Sequence, residues 1–266
     1  MGHSAASALL TKQSGRVKEA RKLSRRSDRS ERRLFLAEGW KAVSEAAGAP
    51  GCVAEVFVTT EAAAEHQVLL NQLDVPVHLA ADEAVASLSG ARSPQGIVAV
   101  CRFVDRPLEA VLGGPTVVIC ADVRDPGNAG TIIRTADASG ASAVVLAGNS
   151  VDAYNDKTVR ATVGSLFHVP LAVGVDPLEA VLTAKSAGYR VLAADGDGEV
   201  DLFTAGDLLE GPVVWLFGNE AWGLPAELAA AADHRVSIPI LGRAESLNLA
   251  SAAAVCLYAS ARAKAD

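Results

Sequence analysis

From Thr116 onward the chain alternates between two kinds of apolar pattern. Short, nearly unbroken apolar runs at Thr116–Ala121, Ala143–Ala147, Val169–Val173, Arg190–Ala194, Pro212–Gly218 and Arg235–Ile240 read as strands, because a strand covered on both faces loses its polar alternation. Between them, Ala129–Ser139, Lys157–Phe167, Pro177–Ala187, Pro225–Ala232 and Leu247–Lys264 have helical composition and spacing. Strands separated by helices imply parallel crossovers and a doubly wound α/β sheet.

The region before it has a different texture. Leu34–Ala46 reads as a short apolar entry followed by a helix, Val53–Thr59 alternates like a strand, and Glu61–Leu73 is helical. A strand at Val75–Leu79, a helix Glu83–Leu88 capped by Asp82, and a strand at Gln95–Cys101 complete a small α/β unit. Pro107, Gly113, Gly114 and Pro115 make residues 105–115 the best linker candidate. These signals predict a lead-in over residues 1–33, a small unit over 34–104, a linker, and a main domain over 116–266.

Composition narrows the picture. Half of the 266 residues are apolar and only 5% aromatic, so the core is built from Val, Leu, Ile and Ala. No apolar run is long enough to span a bilayer, and the first residues lack a secretion-signal layout, so the chain reads as a soluble cytoplasmic protein. Cys52, Cys101, Cys120 and Cys256 are scattered through apolar runs, and the five His residues show no ligand spacing, so no metal is expected.

The net charge of −7 conceals an asymmetry. Ten of the 24 basic residues lie between Lys12 and Arg33 against three of the 31 acidic ones, so that stretch stands at +7 and the remainder at −14. A basic arm on an acidic body suits contact with a polyanion. Candidate RNA-contacting residues are Arg16, Lys18, Arg21, Lys22, Arg25 and Arg26. The arm contains no aromatic residue, so its contacts would be to phosphates rather than stacked bases.

Three stretches carry candidate chemistry. The first strand runs into Asp122-Val-Arg-Asp-Pro-Gly-Asn-Ala-Gly-Thr-Ile-Ile-Arg-Thr-Ala, a tight loop opening a helix that Asn128 can cap. Arg134 falls on the helix's second turn, where a cation opposes the helix dipole. It is either required for an anion or paired at the surface with Asp137 or Asp125. The fifth strand ends in Gly218-Asn-Glu-Ala-Trp-Gly-Leu, with Glu220 between two glycines that permit close backbone approach. The last strand leads through Ile238-Pro-Ile-Leu-Gly-Arg-Ala-Glu-Ser-Leu-Asn into the final helix, with Ser246 as a possible N-cap. The dinucleotide fingerprint, the phosphate loop and the hydrolase nucleophile elbow are all missing.

Together these motifs, D-x-x-x-P-G-N-x-G-x-x-x-R-T-A, G-x-E-x-x-G-L and I-P-x-x-G-x-x-E-S-L-N, resemble the SpoU (TrmH-like) branch of the SPOUT RNA methyltransferases. The front part, with F-L-A-E-G at Phe35–Gly39 and S-P-Q-G-I-V-A at Ser93–Ala99, is similar to that family's small substrate-binding domain. The resemblance implies an α/β parallel-sheet methyltransferase domain with a C-terminal trefoil knot, preceded by a small α/β substrate-binding domain, and a homodimer whose two chains complete the site. It implies S-adenosylmethionine as cofactor, contacted by backbone near Gly218, Ile238 and Leu247 with Ala194 and Asp195 adding to the adenosine pocket. Catalytic or site-building roles then fall on Asn128, Arg134, Glu220, Ser246 and Asn248. Within that resemblance Asn128 would fix the loop and ribose, Glu220 would hold Arg134 or the partner loop, and methylation of a ribose 2′-hydroxyl in large-subunit rRNA is expected. A tRNA ribose methyltransferase and a non-catalytic RNA-binding protein of the same fold are the alternatives.

Overall fold

The computed structural model describes residues 9–265; the first eight residues of the expected lead-in, His3 among them, lie outside the described residues. The chain divides into two compact units, one of residues 1–103 with 154–167, the other of 104–153 with 168–266.

The first unit opens with α1 (Gly15–Lys22) and α2 (Arg26–Arg32). The sequence suggests a mobile lead-in carrying a basic helix over Val17–Leu23; the helix forms as α1, but it is not loose, because Val17, Ala20 and Leu23 pack into one core with Phe57, Val85 and Leu88. Arg29 is buried and donates to the Leu23 and Ser24 carbonyls, which locks the α1–α2 turn. Next come β1 (Leu34–Glu38), α3 (Trp40–Gly48), β2 (Val53–Val58), α4 (Thr60–Glu65), α5 (Gln67–Leu70), β3 (Val77–Leu79), α6 (Asp82–Ala86) and β4 (Ile97–Arg102). The sheet order is β1-β4-β2-β3, with β4 antiparallel to β1 and β2, and β3 parallel to β2. The apolar entry at Leu34 is therefore a full edge strand. Its alternating burial is the period-2 signature of a strand with one covered face.

The second unit begins with α7 (Leu108–Val111) inside the stretch read as a linker, where Leu108 and Val111 are buried in the unit's core. It continues with β5 (Thr116–Ala121), α8 (Pro126–Ala138) and β6 (Ala143–Ala147). The chain then leaves for the first unit, where α9 (Asp156–Thr162) joins the packing, so the expected unbroken span 116–266 is interrupted. The physical reason is aromatic: Tyr154 stacks on Phe103 at 3.7 Å and lies 4.8 Å from Phe35. Back in the second unit follow β7 (Leu171–Val173), α10 (Pro177–Ser186), β8 (Arg190–Ala194), β9 (Val200–Asp201), α11 (Gly206–Leu209), β10 (Val213–Phe217), α12 (Ala226–Ala231), β11 (His234–Ser237) and α13 (Leu249–Ala263).

All seven strands of this second sheet run parallel in the order β7-β6-β5-β10-β8-β11-β9. The expected doubly wound parallel sheet is what forms. The late strand β10 sits between β5 and β8, so the loop leaving β10 emerges beside the loop leaving β5. That placement positions the site, because ligands of open parallel sheets bind at the carboxyl ends of strands where the winding reverses. Helix α13 packs along α8 and is pinned to β10 by the buried Trp215 indole, which donates to Ser260 Oγ at 2.8 Å. No helix of the described residues is long and apolar enough to cross a membrane.

Candidate active site

The loop after β5 is turned by Asp122, which adopts a left-handed backbone at φ 58°. Aspartate tolerates this region better than most residues, and its carboxylate accepts from Asn149 N at 2.7 Å. Pro126 then starts α8, and the N-cap is Asp125, whose carboxylate accepts from Asn128 N at 2.7 Å. Asn128 was the expected cap; Asp125 takes that place, which frees the Asn128 side chain for other work.

The loop after β10 folds into a tight hairpin. Asn219 and Gly223 exchange backbone hydrogen bonds of 2.9 and 3.0 Å. The buried Asn219 side chain accepts from Ala221 N and donates to the Asp122 carbonyl. Gly218 has no room for a side chain: a Cβ there would overlap the Gly223 carbonyl and stand 2.6 Å from Leu224 N.

Glu220, at the tip of this hairpin, reaches the neighbouring loop. Its carboxylate accepts from Arg124 N at 3.1 Å, Asp125 N at 2.9 Å and Asn128 Nδ2 at 3.1 Å. Partial burial opposes its charge, but the Arg124, Asp125 and Asn128 donors outweigh that penalty and hold the pKa below its ordinary value of 4.5.

A carboxylate can only accept, so Asn128 must turn its amide nitrogen toward Glu220 and its oxygen away. That oxygen accepts from Asn248 Nδ2 at 2.9 Å. The Asn248 oxygen in turn caps α13, accepting from Ala250 N and Ser251 N at 3.0 and 3.2 Å. One chain of hydrogen bonds, Glu220 to Asn128 to Asn248 to the start of α13, thus joins segments 92 and 120 residues apart in sequence. Asn248 replaces Ser246 as the expected N-cap; Ser246 lies exposed in the loop two residues earlier. The Asn128 amide thus clamps two loops with one donor and one acceptor, and keeps its second N–H and second lone pair.

Arg134 lies exposed on α8 and makes no hydrogen bond or ion pair among the described residues. The surface pairing that would explain it away does not occur, since Asp137 faces His168 at 2.9 Å and Asp125 caps its own helix. Glu220 does not hold Arg134 either; its acceptors are filled by the loop after β5. Arg124 and Arg243, not singled out in the sequence, are likewise exposed cations without a partner among the described residues. Asn219 was also missed, and the signal was there: an Asn between a glycine with no room for a side chain and the start of a tight turn.

Gly218 and Ile238 follow β10 and β11, Ala194 is the last residue of β8 and Asp195 the next, so all four lie at the carboxyl ends of three neighbouring strands. Leu247 is 40% exposed, in the loop before α13. Asp195 receives Asp197 N and lies 3.6 Å from Arg235. Among the described residues, no group of three or more His, Cys, Asp or Glu could hold a metal ion.

Residues 115–258 match the model of the SpoU rRNA Methylase family, and residues 15–99 match that of the MRM3-like substrate binding domain. The chain belongs to the SpoU rRNA methylase family. It is 34% identical over 247 residues to the 23S rRNA (guanosine(2553)-2′-O)-methyltransferase RlmP of Bacillus subtilis (strain 168), covering 91% of this chain and 94% of that one. An AdoMet-bound rRNA methyltransferase from Sinorhizobium meliloti superposes with a TM-score of 0.83 at 35% identity, covering 93% of this chain and 94% of that one. The SpoU methyltransferase AviRb from Streptomyces viridochromogenes, in complex with AdoMet, also gives a TM-score of 0.83, at 29% identity over 94% of this chain and 98% of that one. The α/β fold and the N-terminal substrate-binding domain expected from the motifs are those of SpoU enzymes.

The relay makes two measurable predictions. Asn248→Ala removes both the α13 cap and the link to Asn128, and is expected to cost about 1 kcal/mol in urea unfolding. The ionised Glu220 contributes stability above its ordinary pKa, and that contribution is lost as pH falls through the lower folded value. The gap in urea midpoint between the wild type and Glu220→Gln should therefore be widest near neutrality and close as the medium is acidified.

Proposed function

We propose that this chain methylates a ribose 2′-hydroxyl of large-subunit ribosomal RNA with S-adenosylmethionine as donor. The observation that supports the reading is the Glu220–Asn128–Asn248 relay, which ties the three family motifs to one another, with Arg134 exposed and unpaired on the helix that carries Asn128. Relatives named as 23S rRNA 2′-O-methyltransferases, and neighbours solved with AdoMet, support the substrate and the donor.

The cofactor would be held by backbone at Gly218, Ile238 and Leu247, with Ala194 and Asp195 closing the adenosine side. The fit rests on chemistry: the buried Gly218 packs main chain against main chain at the carboxyl end of β10, where no Cβ can stand, and half-exposed Ile240 and Leu247 give the loop before α13 apolar surface. When bound, S-adenosylmethionine supplies a methyl group already activated on a sulfonium. The protein's own work is orientation and charge. Arg134, with its planar fork of donors, would hold the phosphate beside the target ribose and stabilise the negative charge that develops on the 2′-oxygen. Glu220, Asn128 and Asn248 act as positioning residues that fix the loop carrying α8, and Ser246 shapes the turn around the cofactor.

We read the loop 238–248 as the closing turn of a trefoil knot and the active species as a homodimer. The exposed apolar residues Leu241 in that loop and Val255 and Tyr258 on α13 support a second copy packing there. In the first unit, Lys18, Arg21, Arg25 and Arg26 are exposed and unpaired among the described residues, and serve as phosphate contacts. Arg16 and Lys22 are already engaged with Glu55 and Glu19 and contribute less.

The test is transfer of tritiated methyl from labelled cofactor to separated tRNA and large-subunit rRNA. Label in rRNA alone is expected. Label in tRNA alone would reassign the substrate, and no label in either, with cofactor still bound in calorimetry, would make the chain a non-catalytic RNA-binding member of the fold.

A further inference from the structure

We propose that Trp222 is a stacking platform for a nucleobase of the RNA substrate at or beside the methylated ribose; this rests on the reading of the site given above. The chain has three tryptophans, and their environments differ. Trp215 is fully buried, and Trp40 stacks on His66 at 4.1 Å. Trp222 is 61% exposed and meets no other ring among the described residues.

An indole left in water on a loose loop would fold back onto apolar surface. This one is held out. The paired backbone of Asn219 and Gly223, the Asn219 side chain and the packed Gly218 leave the hairpin tip little freedom. Two residues before Trp222, the Glu220 side chain turns inward to the Arg124–Asp125 backbone. The hairpin therefore fixes the relay with one residue and presents a flat aromatic face with another.

The charge on the segments tied to this hairpin selects the occupant. Arg124 lies on the loop that Glu220 holds, Arg134 on the helix that carries Asn128, and Arg243 in the loop that ends at Asn248, and all three are exposed with guanidinium groups unpaired among the described residues. Unpaired cations on segments fastened to one exposed ring suit a nucleotide, whose phosphate and base satisfy both, better than an apolar protein surface. The basic arm contains no aromatic residue to stack on a base, and Trp222 supplies one on the hairpin that carries Glu220. Stacking is tolerant of base identity, so the indole sets how the nucleotide is seated rather than which base is chosen.

The test uses unmodified large-subunit rRNA transcript. Trp222→Ala is expected to raise KM for RNA roughly 5- to 100-fold, with cofactor affinity unchanged in calorimetry, and Trp222→Tyr should restore most of the loss. RNA should quench tryptophan emission in the wild type and not in Trp222→Phe. A KM within about twofold of wild type in Trp222→Ala, or quenching that persists in Trp222→Phe, would overturn the proposal. So would Trp222 emission that shifts with protein concentration in the absence of RNA, since that assigns the ring to a second copy. Should the wild type transfer no methyl group to rRNA, the reading of the active site fails, and the quenching experiment still decides the platform by itself.

Discussion

Arg134→Ala is expected to lower kcat for methyl transfer by about 10²- to 10³-fold, the scale on which removal of a charge-stabilising donor acts. The substitution should leave the fold and cofactor binding almost untouched, because Arg134 is exposed and contacts no described residue through hydrogen bonds or ion pairs. Thermal unfolding within a degree or so of wild type, and calorimetric cofactor affinity within about twofold, are the companion readouts. Arg134→Lys keeps the charge but loses the planar fork that grips a phosphate with two parallel bonds, so it should recover only part of the rate. Normal turnover in Arg134→Ala would remove the arginine from the mechanism.

Gly218→Ala should have the largest effect on the fold of the site. The added methyl meets backbone on the far side of the hairpin, at the Gly223 carbonyl and Leu224 N, and no side chain can swing away to relieve it. Opening the hairpin withdraws Glu220 from Arg124 and Asp125 and breaks the relay at its first link. The expected cost is about 3 kcal/mol in urea unfolding, the upper end of what overpacking costs, with cofactor affinity down by about tenfold or more. Gly206→Ala is the control: no atom lies within 4 Å of a Cβ there, so it should be close to neutral. Equal stability of the two variants would show that the hairpin tolerates opening.

How much of this could be read in advance depended on burial. Strands β5, β6 and β10 are buried at every position, and their apolar runs announce themselves with nearly correct ends. The last strand was read as far as Ile240 but stops at Ser237, two residues before Pro239, which has no N–H to give the ladder. Strand β9 is two residues at the sheet edge, too short for any period to show. In the lead-in the helix over Val17–Leu23 is legible but its packing is not: Val17, Ala20 and Leu23 form a buried stripe that ten cations over Lys12–Arg33 concealed. At the site, residue identities were legible while their partners were not. Asn128 and Ser246 both looked like helix caps, yet Asp125 and Asn248 take those positions. Local capping rules could not reveal that Asn128 was committed to a carboxylate 92 residues away.

The most direct test of the whole account is alkaline hydrolysis of the methylated rRNA. Strand cleavage by alkali needs a free 2′-hydroxyl as internal nucleophile, so a methyl group on that oxygen protects the adjoining phosphodiester. After tritium transfer by the wild-type chain, the label should appear in an alkali-resistant dinucleotide, and it should vanish with Arg134→Ala. Label recovered in mononucleotides would place the methyl group on a base and contradict the site as read here.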